Sequence, residues 1–138
     1  MGSLRQQLTY PSTKVDVSDE ELLRLLDLAN LPDLVKRFGS LNAVLDWGKV
    51  LSVGEQQRLA FALVLLAKPR YAILDEATGA LDFVNEDQLY RQLQSTATTI
   101  VRVSHHTRIV KYHEQVLELA GDGKWELKSA IGANAHTA

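Results

Sequence analysis

The sequence contains no cysteine, and this absence excludes two kinds of site. Neither a disulfide framework nor a metal site with thiolate ligands can form. An excess of charge of one sign is also missing, because 15 basic residues stand against 17 acidic ones and the net charge is -2. With this balance, nucleic acid is not expected as the main partner.

Long apolar runs are scarce as well. A run such as residues 60–67 is far shorter than the about 20 residues that cross a bilayer, so we expect no membrane span. The first residues, MGSLRQQLTYPST, lack the apolar core of a signal peptide. The length of 138 residues and the 46% apolar composition are typical of one soluble α/β domain, or part of one.

The segment from Leu51 to Asp82 organises the chain, and it opens with a helix start. Ser52 and Glu55 have the spacing of a capping box, and residues 59–66 continue with an apolar stripe of Leu59, Ala62, Leu63 and Leu66. A helix start presents free N–H groups and partial positive charge, and Gly54 lets an anion come close to the backbone. Taken alone, the box indicates only an ordinary capped helix.

A buried strand with two acids at its end follows this helix. Residues 71–74 are apolar without alternation, as expected where helices cover both faces of a parallel sheet. Asp75 and Glu76 follow directly, and ligands in such sheets lie at the carboxyl ends of the strands. One acid can hold water around Mg²⁺ while its neighbour orients or deprotonates an attacking water.

The remaining segments predict three helices, a loop, a strand and a hairpin. Ser18 and Glu21 form a second capping box, which predicts a helix that begins near Asp19. The further expected elements are a helix over 32–38 ended by Gly39, an irregular loop over 42–50 anchored by Trp47, a helix over 84–94, a strand over 98–103, and a hairpin of 115–119 with 124–128.

Three motifs in the central segment resemble those of the ATP-binding cassette (ABC) ATPases. LSVGEQQRLAFA resembles the signature, YAILDE resembles Walker B, and ATGALD resembles the D-loop, all in family order and at family spacing. The wording is most similar to that of half-transporters of subfamily D, the fatty-acyl class, and their bacterial relatives. The resemblance covers roughly Gly2 to Leu127.

This resemblance implies an α/β fold: a partial P-loop NTPase core of the RecA-like ABC type with parallel strands, a helical subdomain before it and a closing hairpin. Residues 1–50 correspond to the helical subdomain, and residues 51–128 to the signature helix, Walker B, D-loop, H-loop and hairpin. Residues 129–138 are small and polar, and we expect a disordered tail there.

The resemblance also implies roles for single residues. It implies that ATP is contacted by Ser52, Val53, Gly54, Glu55, Gln56 and Asp82. Asp75 would hold Mg²⁺ through water, Glu76 would be the catalytic carboxylate, and His105, which follows a strand and Ser104, would be the switch histidine that senses the γ-phosphate. The partners implied are a second nucleotide-binding domain and a membrane domain, at the cytoplasmic face of a membrane.

The sequence also departs from the family pattern. The phosphate-loop motif G-x-x-x-x-G-K-[ST] does not occur among the 138 residues, and the Q-loop is expected before residue 2. Val53, Gly79 and Leu63 stand where glycine, serine and arginine are frequent. Two functions therefore stay open: a piece of an ATP-hydrolysing nucleotide-binding domain that is not competent alone, and a non-catalytic truncated cassette that regulates an intact subunit.

Overall fold

The computed structural model describes residues 1–11, 16–75 and 83–130. By their packing, these residues form two compact units. The first holds residues 1–11, 16–72 and 83–99, and the second holds residues 73–75 and 100–130.

The first unit is mainly helical. Its elements in chain order are β1 (Gly2–Ser3), α1 (Leu4–Thr9), α2 (Asp19–Leu28), α3 (Leu34–Phe38), β2 (Val44–Leu45), α4 (Trp47–Val50), α5 (Val53–Ala67), the start of β3 (Tyr71–Asp75), α6 (Phe83–Gln94) and the start of β4 (Thr99–Val103).

The residues at the helix ends show why α2 begins and α3 ends where they do. The hydroxyl of Ser18 accepts from the backbone N–H of Glu21 at 3.3 Å, and α2 begins at Asp19 as predicted. Helix α3 begins at Leu34, two residues later than predicted, and Asp33 is its N-cap residue without a side-chain capping hydrogen bond. Gly39 ends α3 with φ +92°, a backbone angle that favours glycine, which confirms its predicted role.

The core of the first unit is formed by leucines and aromatic side chains of the helices. Its most deeply buried members include Leu4, Leu8, Leu22, Leu26, Leu34, Leu89, Tyr90 and Leu93. Phe61 of α5 packs edge-on against Tyr90 of α6, with ring centroids 6.0 Å apart. On α5 the buried residues are Leu59, Phe61, Ala62 and Leu65. The predicted stripe was therefore right at Leu59 and Ala62 only, and Leu63 and Leu66 are half-buried.

The segment before the signature is ordered, and the expectation of an irregular loop over 42–50 was wrong. Strand β2 pairs antiparallel with β1, Gly2 opposite Leu45 and Ser3 opposite Val44, and α4 follows. Trp47 is buried as predicted, and its indole N–H donates to the carbonyl of Gly2 at 2.8 Å. Because the partner strand of β2 lies about forty residues away in the sequence, no local sequence pattern predicts β2.

Strands β3 and β4 pair in a parallel sheet. The backbone N–H of Thr99 donates to the carbonyl of Arg70 at 2.9 Å where the pairing begins. Ala72 and Leu74 are buried, whereas Tyr71 and Ile73 are 60% and 74% exposed. The expectation that both faces of β3 are covered was therefore wrong. An apolar run shows that both faces of a strand are apolar, but it does not show whether another segment packs on each face.

The second unit ends in the predicted hairpin. After β4 come a 3-10 helix (Thr107–Tyr112), β5 (Gln115–Leu119) and β6 (Trp125–Ser129), which pair antiparallel in register from Gln115 opposite Ser129 to Leu119 opposite Trp125. One hairpin face carries an ion-pair cluster of Lys128 with Glu118 and Glu126. The other face carries Leu117, Leu119, Trp125 and Leu127, all exposed. Strand β6 includes Ser129, one residue into the predicted tail, and residues 131–138 lie outside the described residues.

Candidate functional site

The predicted signature lies at the start of α5, where both halves of the capping box are formed. The Ser52 hydroxyl accepts from the backbone N–H of Glu55 at 3.2 Å, and the Glu55 carboxylate accepts from the backbone N–H of Ser52 at 2.9 Å. The next N–H, of Gln56, donates to the carbonyl of Ser52 at 2.9 Å. Within the described residues, the N–H groups of Val53 and Gly54 have no hydrogen-bond acceptor. The helix start therefore offers two adjacent backbone donors to an anion.

Exposure differs along this segment. Ser52 and Val53 are exposed, and Gly54, Glu55 and Gln56 are half-buried. The side-chain amide of Gln56 donates to the carbonyls of Gly48 and Leu51, at 3.1 and 3.0 Å. Gln56 thus ties the start of α5 to the preceding helix α4. Its predicted contact with ATP stays a prediction.

Glu55 also pairs with a residue that the sequence did not single out. The guanidinium of Arg37, in the last turn of α3, donates to the second carboxylate oxygen of Glu55. The pKa of Glu55 is lowered from its usual 4.5, first because Arg37 donates to it and further because Ser52 does, against the opposing effect of burial. Glu55 is therefore ionised at neutral pH. The partners are 18 residues apart on different helices, so no sequence spacing pointed to this pair.

In the second unit, the predicted metal and switch residues follow neighbouring strands. Asp75 is the last residue of β3 and is exposed. His105 is also exposed and comes two residues after the end of β4. The carboxyl ends of parallel strands lie at one edge of a sheet, so the pairing brings Asp75 and the start of the His105 turn to the same edge.

The His105 turn is itself ordered by local contacts. The backbone N–H of His106 donates to the hydroxyl of Ser104 at 3.1 Å, and the rings of His105 and His106 lie 4.3 Å apart. Among the described residues, no group of three or more metal-binding side chains occurs. A single aspartate fits the predicted water-mediated contact with Mg²⁺ but not a complete metal site. Glu76 and Asp82 lie outside the described residues.

The fold matches a fragment of the ABC NTPase fold. The chain is similar to a solved structure of a bacterial Atm1-family ABC exporter with ATP bound, with a TM-score of 0.78 at 22% identity. The match covers 99% of this chain and 24% of the exporter chain. No helix in the described part of the chain is both long and apolar enough to span a membrane.

The chain belongs to the ABC transporter family, because the model of that family matches residues 3–79, more than half of the chain. Among curated relatives, an uncharacterized ABC transporter ATP-binding protein of Synechocystis is 48% identical over 92% of this chain, and the human lysosomal cobalamin transporter ABCD4 is 44% identical over 91%. The mouse ATP-binding cassette sub-family D member 3 is 39% identical over 93%. These matches confirm the resemblance to subfamily D and its bacterial relatives.

The chain spans about a fifth of the length of these relatives, with 19%, 22% and 20% of their residues matched. The matched part corresponds to the nucleotide-binding domain of the family.

Proposed function

We propose that this chain supplies the signature, Walker B and switch histidine to an ABC ATPase site whose phosphate loop comes from another polypeptide or segment. The observation that carries this proposal is the pair of adjacent N–H groups of Val53 and Gly54 at the start of α5, which have no acceptor within the described residues, in a chain of the ABC transporter family. These donors suit the γ-phosphate of ATP held on an opposing nucleotide-binding domain.

The phosphate-loop motif does not occur in these 138 residues, so the proposed ATP site has to be completed by a phosphate loop from elsewhere. A phosphate loop wraps the phosphates with backbone N–H groups and neutralises them with a lysine. The two Gly-Lys pairs in this sequence are followed by Val50 and Trp125, and neither completes the motif. The 138 residues therefore act on ATP that is bound mainly by other groups.

The acids and the histidine perform the second part of the proposed reaction. Asp75 holds Mg²⁺ through water, Glu76 accepts the proton of the attacking water, and His105 contacts the γ-phosphate. Asp82 of the D-loop would contact the opposing site. The position of Asp75 at the carboxyl end of a parallel strand supports this division of roles. The complete assembly includes a transporter membrane domain, so the chain would work at the cytoplasmic face of a membrane.

The test is complementation of an intact ABC nucleotide-binding domain whose own signature has been inactivated. The 138-residue chain should restore ATP hydrolysis when it is added to this domain. Gly54→Asp should abolish the restored rate, because a carboxylate about 4 Å from a phosphate charge costs about 4 kcal/mol at an effective dielectric constant of about 20. An acid in the first turn of a helix is favourable for helix formation, and circular dichroism of the variant checks that loss of fold does not explain the lost rate.

Gly121→Asp is the matched control, since it makes the same chemical change in the hairpin turn, where an added Cβ meets nothing within 4 Å. It should restore hydrolysis as well as the unmodified chain. Equal rates with Gly54→Asp would refute the role of the signature. Binding to the intact domain without any restored hydrolysis would favour the alternative, a non-catalytic cassette that regulates its partner.

A further inference from the structure

Arg37 connects α3 to the start of the signature helix through one ion pair. Its guanidinium donates to Glu55, whose other carboxylate oxygen accepts from the Ser52 N–H. The Glu55 side chain is only 15% exposed, whereas that of Arg37 is 44% exposed. Glu55 is thus a half-buried carboxylate, and Arg37 forms its ion pair among the described residues.

The position of Arg37 is held from a second side. Its guanidinium carbon lies 5.1 Å from the ring centre of Phe38, and the Phe38 ring packs edge-on against Trp47 at 5.3 Å. Trp47 in turn donates to the carbonyl of Gly2 in β1. Contacts between aromatic rings and a guanidinium restrict its orientation. Arg37 therefore approaches Glu55 from a supported position.

The charges at the helix start show what this pair changes. The aligned peptide dipoles give the start of α5 a partial charge of about +0.5, while an ionised Glu55 in its first turn contributes a full negative charge. Without Arg37 the local sum would be about -0.5 and would repel an anion. With Arg37 the sum returns to about +0.5. The two free N–H groups then face an approaching phosphate in a favourable field.

We propose that Arg37 is a positioning residue of the signature: it cancels the charge of Glu55 and holds this carboxylate in the capping box, so that α5 can accept an anionic phosphate. This inference rests on the proposed function of the signature. It assigns to α3, which the sequence marks only as a short packing helix, control of the phosphate affinity of α5.

The first experiment uses the chain alone, with inorganic pyrophosphate as the probe. The amide resonances of Val53 and Gly54 are followed by NMR during titration. Arg37→Met should weaken pyrophosphate binding about tenfold, which corresponds to about 1.4 kcal/mol. Lys36→Met is the matched control: it removes the same charge from the same turn of α3, where Lys36 is exposed, and should change affinity less than about twofold.

The Glu55→Gln background separates charge compensation from structural support. Glutamine keeps the capping box but carries no charge. By the charges counted above, the double variant of Arg37→Met with Glu55→Gln should therefore bind pyrophosphate within about twofold of the native chain. A double variant that binds pyrophosphate as weakly as Arg37→Met alone would show that Arg37 acts only as a structural support and would overturn the proposal. No effect of Arg37→Met in the native background, or no pyrophosphate-dependent shift at Gly54, would also overturn the proposal.

The second experiment applies the same four variants to the complementation assay. Arg37→Met should raise the KM for ATP about tenfold with less change in kcat, because the interaction concerns phosphate binding. An unchanged KM would contradict the proposal. If the unmodified chain restores no hydrolysis while the NMR result holds, the proposed function fails and the role of Arg37 in anion binding at α5 stands.

Discussion

Replacing Ile73 by lysine tests the exposed face of the β3–β4 sheet. Tyr71 and Ile73 of β3 and Val101 and Val103 of β4 are all exposed. Ile73 is 74% exposed, so it buries only about a quarter of its side chain. Full burial of an isoleucine contributes about 1.5–3 kcal/mol, so the substitution should remove about 0.4–0.8 kcal/mol of burial energy. With the lower strand propensity of lysine, the free energy of unfolding should fall by about 1 kcal/mol.

The matched variant is Leu74→Lys, one residue along the same strand. Leu74 is only 9% exposed, and its side chain points to the opposite face of the sheet. A lysine there would place an unpaired charge in the core, which costs far more than the loss of a partly exposed side chain. We expect Leu74→Lys to unfold the chain and Ile73→Lys to leave it folded.

Urea unfolding followed by circular dichroism gives the free energies, and sedimentation velocity gives the association state. An exposed apolar face favours packing against other chains, so the unmodified chain should self-associate and Ile73→Lys should reduce this association. Equal destabilisation by the two lysines would refute the exposed-face description. If the unmodified chain sediments as a monomer, the prediction that this exposed face causes self-association is refuted.

Three further predictions concern the site. The pKa of Glu55 is lowered from its usual 4.5, so the ionised Glu55 contributes fully to stability above this value, and the contribution is lost as the pH falls through the lowered pKa. Between about pH 5 and 3, the Glu55→Gln chain should therefore lose less thermal stability than the native chain. Identical acid profiles of the two chains would contradict this. The chain alone should bind ATP weakly or not at all and too weakly for calorimetry, because it lacks the phosphate-loop motif, and saturable micromolar binding that requires magnesium would refute this reasoning. In the complemented assembly, Glu76→Gln should abolish hydrolysis but retain ATP binding, whereas Asp75→Asn should chiefly weaken magnesium-dependent binding; the same phenotype for both variants would refute their separate roles.

The sequence predicted those elements whose causes are local. Ser18 and Ser52 each accept a hydrogen bond from the backbone N–H three residues later, and both helices begin directly after the serine, as this spacing predicts. Gly39 ends α3 for a similarly local reason, a positive φ. The hairpin is equally local, since ten residues or fewer separate the facing residues of its inner pairs.

Elements that depend on distant partners were not predictable in this way. Strand β2 exists because Val44 and Leu45 pair with Ser3 and Gly2. The exposure of Ile73 likewise depends on what packs over β3, and its own apolar character does not encode that.

The candidate site shows the same division between local and distant causes. The donors and the capping box at Ser52 follow from residues next to one another, and the sequence indicated them. Arg37 acts on Glu55 from another helix, and α3 shows only a cation in its last turn, as many helices do. Ion pairs between helices require the tertiary arrangement, so no pattern in one segment could have identified this residue.

The two tryptophans of the chain provide an optical probe for each unit. Trp47 is buried against Phe38 in the first unit, and Trp125 is 69% exposed on the hairpin of the second. Iodide should therefore quench the fluorescence of Trp125 and spare that of Trp47, whose emission should lie at shorter wavelength. Single Trp→Phe variants would then report the unfolding of each unit separately, and non-coincident transitions would show that the two units melt independently.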